Sequence, residues 1–241
     1  MIYYHPKYIR NLFIVQKLHG GGGILLSKKL IGYLILVGPL LAIASMFIEP
    51  GSLDDSATFA DQIQAQADNY AIATISMITW SVGILITFIG IHYLARSMQG
   101  EDKPGSDLAG LASIFALLAA GVTMVAIGID TTIGEKESSW IKEGGDIINA
   151  TAISAAIARS VFIFNGVIML FLGLSIVKQK NLSPIIGGLF TFLGACVLFG
   201  GIFSSGDNWA GMIWFVGFLG FPLVTVATGI LTVRSAGKDV S

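Results

Sequence analysis

Six long apolar runs, separated by shorter polar stretches, dominate the chain. They cover residues 30–48, 71–95, 108–129, 158–177, 185–203 and 210–233. About 20 apolar residues in a helix match a hydrocarbon core roughly 30 Å thick. A helix also satisfies its backbone hydrogen bonds internally, as lipid requires. The pattern therefore predicts an all-α fold: a polytopic integral membrane protein with six transmembrane helices in one bundle.

Composition agrees with this class of protein. Of 241 residues, 54% are hydrophobic and only 12% are charged, whereas a soluble domain carries about a quarter charged residues. The net charge of −1 favours neither nucleic acid nor an acidic substrate as partner. The single cysteine, Cys196, cannot form an intrachain disulfide. The expected surroundings are therefore the lipid bilayer.

The distribution of basic residues predicts an orientation. Residues 1–29 form a basic arm, 30–233 the transmembrane domain and 234–241 a short tail. Eleven Lys and Arg residues lie in the arm, the second and fourth loops and the tail, against only Lys136 and Lys142 in the third loop. By the positive-inside rule, both termini are cytoplasmic in the cell membrane and the acidic loop 49–70 is outside.

The first apolar run admits a second interpretation. A basic flank, an apolar stretch and the small residues Ala42 and Ala44 also resemble a signal peptide with a cleavage site. Apolar character continues through Phe47 and Ile48, which favours a retained helix. A mature chain beginning near Ser45 would identify a signal peptide.

Two charges border the central pair of apolar runs. Asp130 closes the third run, and Arg159 lies at the entry to the fourth. Counted by helix rise, both reach a similar depth near the outer boundary, and each continues a stripe of small residues along its helix. One hypothesis is a structural ion pair that locks the third and fourth spans together. The alternative is that Arg159 extends to lipid headgroups while Asp130 caps a loop.

Three further positions raise the possibility of transport. Pro39 and Pro222 fall near the middle of the first and last spans, and Asn165 is a polar residue in the fourth. A proline removes one helix hydrogen bond and can leave a carbonyl to coordinate a solute. A packing kink is the simpler interpretation of both prolines.

The sequence does not favour an enzyme. It lacks the zinc-protease H-E-x-x-H, the nucleophile elbow and the cofactor glycine fingerprints, and we assign no catalytic, cofactor or metal residues. Glycines of the fifth span, Gly194 and Gly200 among them, predict close helix packing. The favoured function is a structural, interaction or regulatory membrane protein or a small subunit of a larger complex, with a partner helix or a second copy as partner. A small transporter or channel-like protein is the alternative.

Overall fold

The structure is a computed structural model that describes residues 26–51, 59–133, 147–203 and 209–238. These residues form seven helices. They are α1 (Lys28–Ile48), α2 (Phe59–Asp68), α3 (Tyr70–Ser97), α4 (Ser106–Ile133), α5 (Ile147–Gln179), α6 (Pro184–Phe203) and α7 (Trp209–Lys238).

Six of these helices, all except α2, are long and apolar enough to cross a membrane. The prediction of an all-helical protein with six candidate spans is therefore confirmed within the described residues. The short α2 is amphipathic in composition and lies between α1 and α3 in the chain. Most of the basic arm, the loop that contains Lys136 and Lys142, and the last three residues of the tail lie outside the described residues.

Several helices extend beyond the apolar runs that predict them. Asp130 lies inside α4 and does not end it, and α5 begins at Ile147, twelve residues before Arg159. The tail is helical as far as Lys238. Hydropathy marks only the part of a helix that lies in hydrocarbon, whereas backbone hydrogen bonding continues the helix into polar surroundings.

The six long helices close into a ring. Each packs against the long helices before and after it in the chain, and α7 packs against α1. The interior is filled by buried side chains from every helix, with Phe190, Ile91 and Leu172 among the largest that are fully buried. Large apolar side chains such as Ile185 and Met212, both 74% exposed, cover the outside. This exposure fits a surface covered by lipid.

Polar contacts tie the α3–α4 turn to the end of α5. The side chain of Gln179 donates to the carbonyl oxygen of Met98 at 2.6 Å, and the hydroxyl of Ser175 donates to that of Gly105 at 2.9 Å. Gly105 has a φ of 76°, which glycine adopts without steric cost. These bonds connect neighbouring helices at the end of the bundle where the described chain begins and ends.

Candidate functional site

Glycine pairs fix how closely neighbouring helices approach, and the clearest case joins α5 to α6. A Cβ added at Gly194 would lie 2.8 Å from the carbonyl oxygen of Gly166, and one added at Gly173 would lie 2.6 Å from that of Gly187. Both pairs are spaced by seven residues along their helices, so they share one face. The two backbones are therefore nearly in contact at two levels.

The same arrangement recurs at other helix pairs. Gly38 of α1 faces Gly83 of α3, and Gly32 of α1 faces Gly229 of α7. At Gly200, the backbone of Trp214 on α7 would obstruct any side chain. The prediction that Gly194 and Gly200 face other helices is therefore confirmed.

Arg159 contacts α6. Its Nε and Nη2 atoms donate to the carbonyl oxygen of Gly201 at 3.3 and 3.0 Å. Gly201 is two residues before the end of α6, among the last carbonyls that have no donor within the helix. A guanidinium at this position satisfies one of them and stabilises the negative end of the helix dipole.

The ion pair between Asp130 and Arg159 stays a prediction. The backbone of Asp130 lies in α4, but its side chain is outside the described residues. The stripe of small residues that precedes it is buried, with Ala112, Ala116 and Ala119 all 0% exposed. This part of α4 therefore packs its small residues inside the bundle.

The two candidate prolines lie at the same level on neighbouring helices. Pro39 follows Gly32 by seven residues, and Pro222 precedes Gly229 by seven. Because α1 and α7 cross at Gly32 and Gly229 and run in opposite directions, the prolines lie at the same level, about 10 Å from the crossing. Pro39 is buried and Pro222 is half-buried.

Asn165 is on a different helix, α5, which packs against α4 and α6. The residue is only 7% exposed, and its Oδ1 atom has no hydrogen-bond partner in the described part of the protein. A buried amide oxygen in this state is uncommon, because burial without a donor costs free energy. The three candidate midplane residues therefore form a proline pair and a separate polar position.

His92 is buried within the bundle, close to the end of α3. It is 9% exposed, and its Nδ1 atom lies 2.8 Å from the hydroxyl of Ser113 and 3.1 Å from the carbonyl oxygen of Ser113. The pair joins α3 to α4. Helical spacing from the buried Phe88 places His92 near the inward side and could have indicated this role.

Sequence reasoning missed one surface, the outer face of α4. Gly121 and Gly128 lie seven residues apart on this face and are both exposed. A Cβ added at Gly121 would meet no described atom within 4 Å. The signal was available, because the same spacing separates Gly83 from Gly90 and recurs in α5 and α6.

The described residues contain no group of three or more His, Cys, Asp or Glu side chains that could hold a metal ion. Comparison of the chain with protein-family models, with characterised proteins and with solved structures returned no match.

Proposed function

We propose that the protein is an interaction subunit of the membrane, which binds a transmembrane helix of another chain on the outer face of α4. The observation that carries the proposal is Gly121, an exposed membrane glycine beside which the described chain places no atom. Gly128, which is also exposed, lies two turns along the same face. A partner helix can bring its backbone close to α4 at such a surface and gain dispersion contacts that lipid chains do not supply.

The physics of helix association in lipid supports this role. Apolar burial gives little driving force there, so helices associate where small residues let backbones approach and gain dispersion contacts. The chain already uses glycine in this way between α5 and α6 and between α1 and α3. Val125, 56% exposed, and Leu118, 51% exposed, flank the α4 glycines. Because they are seven residues apart, both lie on one side of the glycines and would form a ridge along one side of a bound helix.

Gly121→Leu tests the proposal. Because the space beside Gly121 is open, the variant should fold and melt like the wild type. A leucine there would keep a partner backbone away from α4. Purification from native membranes in mild detergent, followed by mass spectrometry and light scattering, should show a partner chain or a second copy with the wild type and its loss from the variant.

Gly188→Leu is the matched control. Gly188 is also exposed with no described atom within 4 Å of an added Cβ, but it lies on α6 and has no second glycine seven residues away. This control should retain the partner. Equal recovery of every associated chain from wild type, Gly121→Leu and Gly188→Leu would refute the docking role of α4.

The proposed orientation places both termini in the cytoplasm and residues 49–70 outside, in the cell membrane. The eleven-to-two distribution of basic residues supports it. A retained first helix is supported by the packing of α1 against both α3 and α7. In a Cys196→Ser background, an impermeant maleimide added to intact cells should label Asp61→Cys but not Ser106→Cys. Labelling of Ser106→Cys from outside would contradict this topology.

Transport of a small solute is the second candidate. The buried Asn165, with an Oδ1 that lacks a described partner, and the level pair Pro39 and Pro222 favour it. Proteoliposomes challenged with glycerol or urea would show faster volume recovery than empty vesicles, and Asn165→Leu would remove the difference. Equal rates with and without the protein for both solutes would remove the support for transport of neutral solutes.

A further inference from the structure

The side chain of Asn165 is directed into the interior of the ring. Phe164, the residue before it, contacts Phe115 of α4 at a ring separation of 5.8 Å. Gly166, the residue after it, packs against Gly194 of α6. A side chain between these two contact directions lies towards the bundle interior, and Asn165 is correspondingly 7% exposed.

The hydroxyl groups of the bundle interior are engaged elsewhere. On α7, Thr225 donates to the carbonyl oxygen of Phe221 and Thr228 to that of Val224, each at 2.7 Å. On α4, Thr123 donates to the carbonyl oxygen of Ala119 at 2.7 Å. Each hydroxyl proton is thus used within its own helix. The amide oxygen of Asn165 needs a hydrogen-bond donor, and none of these threonine hydroxyl groups donates to it.

On α7, the carbonyl oxygen of Phe218 lacks its usual N–H donor. Proline has no N–H, so Pro222 cannot donate to the carbonyl oxygen of Phe218 four residues earlier. The ring of Phe218 contacts Phe162 of α5 with a centroid separation of 5.6 Å. Asn165 follows Phe162 by three residues, about 4.5 Å along the helix axis. The contact between the two rings therefore brings the part of α7 that contains Phe218 towards the part of α5 that contains Asn165.

We propose that one ordered water molecule donates to both Asn165 Oδ1 and the carbonyl oxygen of Phe218. Two acceptors match the two protons of water, and waters are among the groups that satisfy carbonyls left by proline in membrane helices. A monovalent cation fits less well, because the described side chains around this position are apolar or carry hydroxyls, and an unpaired charge is costly to bury. The water would connect α5 to α7 where α7 is interrupted.

A double-mutant cycle tests the bridge by thermal unfolding in detergent. Asn165→Leu should lower the melting temperature by at least about 2 °C, because the Phe218 carbonyl loses its donor. Pro222→Ala restores the N–H that donates to this carbonyl. In that background, Asn165→Leu should leave the melting temperature unchanged or raise it. The two sites should therefore be coupled.

Pro39→Ala is the matched control, since it restores an N–H on α1 to the carbonyl of Ile35. In that background, Asn165→Leu should destabilise as much as in the wild type. The bridge is refuted if Asn165→Leu raises the melting temperature above that of the wild type. This is the result expected when a buried amide that has neither a hydrogen-bond partner nor a water molecule is removed. It is also refuted if the Asn165→Leu shift is the same in the wild-type and Pro222→Ala backgrounds.

Two measurements keep the proposal testable in every case. If Pro222→Ala does not fold, the sign of the single Asn165→Leu shift decides. Melting in sodium, potassium and choline chloride separates water from a cation. If the melting temperature of the wild type depends on the cation and that of Asn165→Leu does not, the site binds a cation and the water bridge is refuted.

Discussion

The crossing of α5 and α6 at Gly166 and Gly194 gives the sharpest prediction for stability. In Gly194→Ala, the new methyl carbon would lie 2.8 Å from the carbonyl oxygen of Gly166, 2.8 Å from the amide nitrogen of Leu170 and 2.9 Å from Cβ of Met169. Two of these atoms are backbone, so no flexible side-chain end can move away. The helices themselves must separate.

The size of the effect follows from that geometry. An ordinary carbon–oxygen contact is about 3.3 to 3.6 Å, so the helices must move apart by about half an ångström or more at this point. Overpacking of this kind costs about 1 to 3 kcal/mol. Alanine also gains up to about 1 kcal/mol of helix propensity over glycine, which offsets part of the loss.

Gly188→Ala removes that offset from the comparison. Gly188 lies on the same helix six residues earlier, and an added Cβ there meets no described atom within 4 Å. Both variants gain the same propensity, so their difference isolates the contact with α5. At roughly 2 to 4 °C per kcal/mol for a chain of this size, Gly194→Ala should melt roughly 2 to 12 °C below Gly188→Ala.

Thermal unfolding of the two purified variants in the same detergent measures this difference. Gly194→Leu should lower the melting temperature further, because a larger side chain must be accommodated at the same crossing. Equal melting temperatures for Gly194→Ala and Gly188→Ala, or a higher value for Gly194→Ala, would show that the close approach of α5 and α6 does not limit stability.

Three further predictions concern polar contacts. Arg159→Gln should destabilise the protein by about 0.3 to 1 kcal/mol, because an exposed cation at the end of α6 is lost. Arg159→Lys should recover part of this stability in the same thermal unfolding measurements. Equal melting temperatures for the wild type and both variants would argue against the capping role. If Asp130 and Arg159 form an ion pair, Asp130→Arg and Arg159→Asp should each lower the yield of folded protein and the double exchange should restore it, whereas a double variant no better than either single one would exclude the pair. Ser113→Ala should cost about 1 kcal/mol through the lost contact with His92, and an unchanged melting temperature would assign that contact no net stability.

Much of the fold follows from hydropathy alone. A bilayer imposes one length and one backbone requirement on every span, so an apolar run of about 20 residues is sufficient to predict a helix. The polar ends of α4 and α5 were less predictable, because charged residues such as Asp130 and Arg159 stop an apolar run without stopping a helix. Local sequence therefore located the spans better than their ends.

The candidate site was only partly predictable. Small residues at Gly194 and Gly200 indicate close packing whatever the partner, since lipid gives them no role. The contact of Arg159 with α6 depends on which helix lies beside α5, and hydropathy carries no information about neighbours. The contact between His92 and Ser113 shows the same limit, because Ser113 is on another helix.

Hydropathy and residue types along the chain are enough to predict that the protein is helical, which segments are apolar enough to span a membrane, and which prolines and glycines interrupt them. Those properties depend on local composition and on the bilayer as solvent. The packing of α7 against α1, which closes the ring and sets Pro39 level with Pro222, is visible only in the folded molecule. The same holds for Gly194, which is covered by a backbone, and for Gly121, which faces outwards. Identical residue types acquire different roles because the direction a helix face points is fixed by long-range packing.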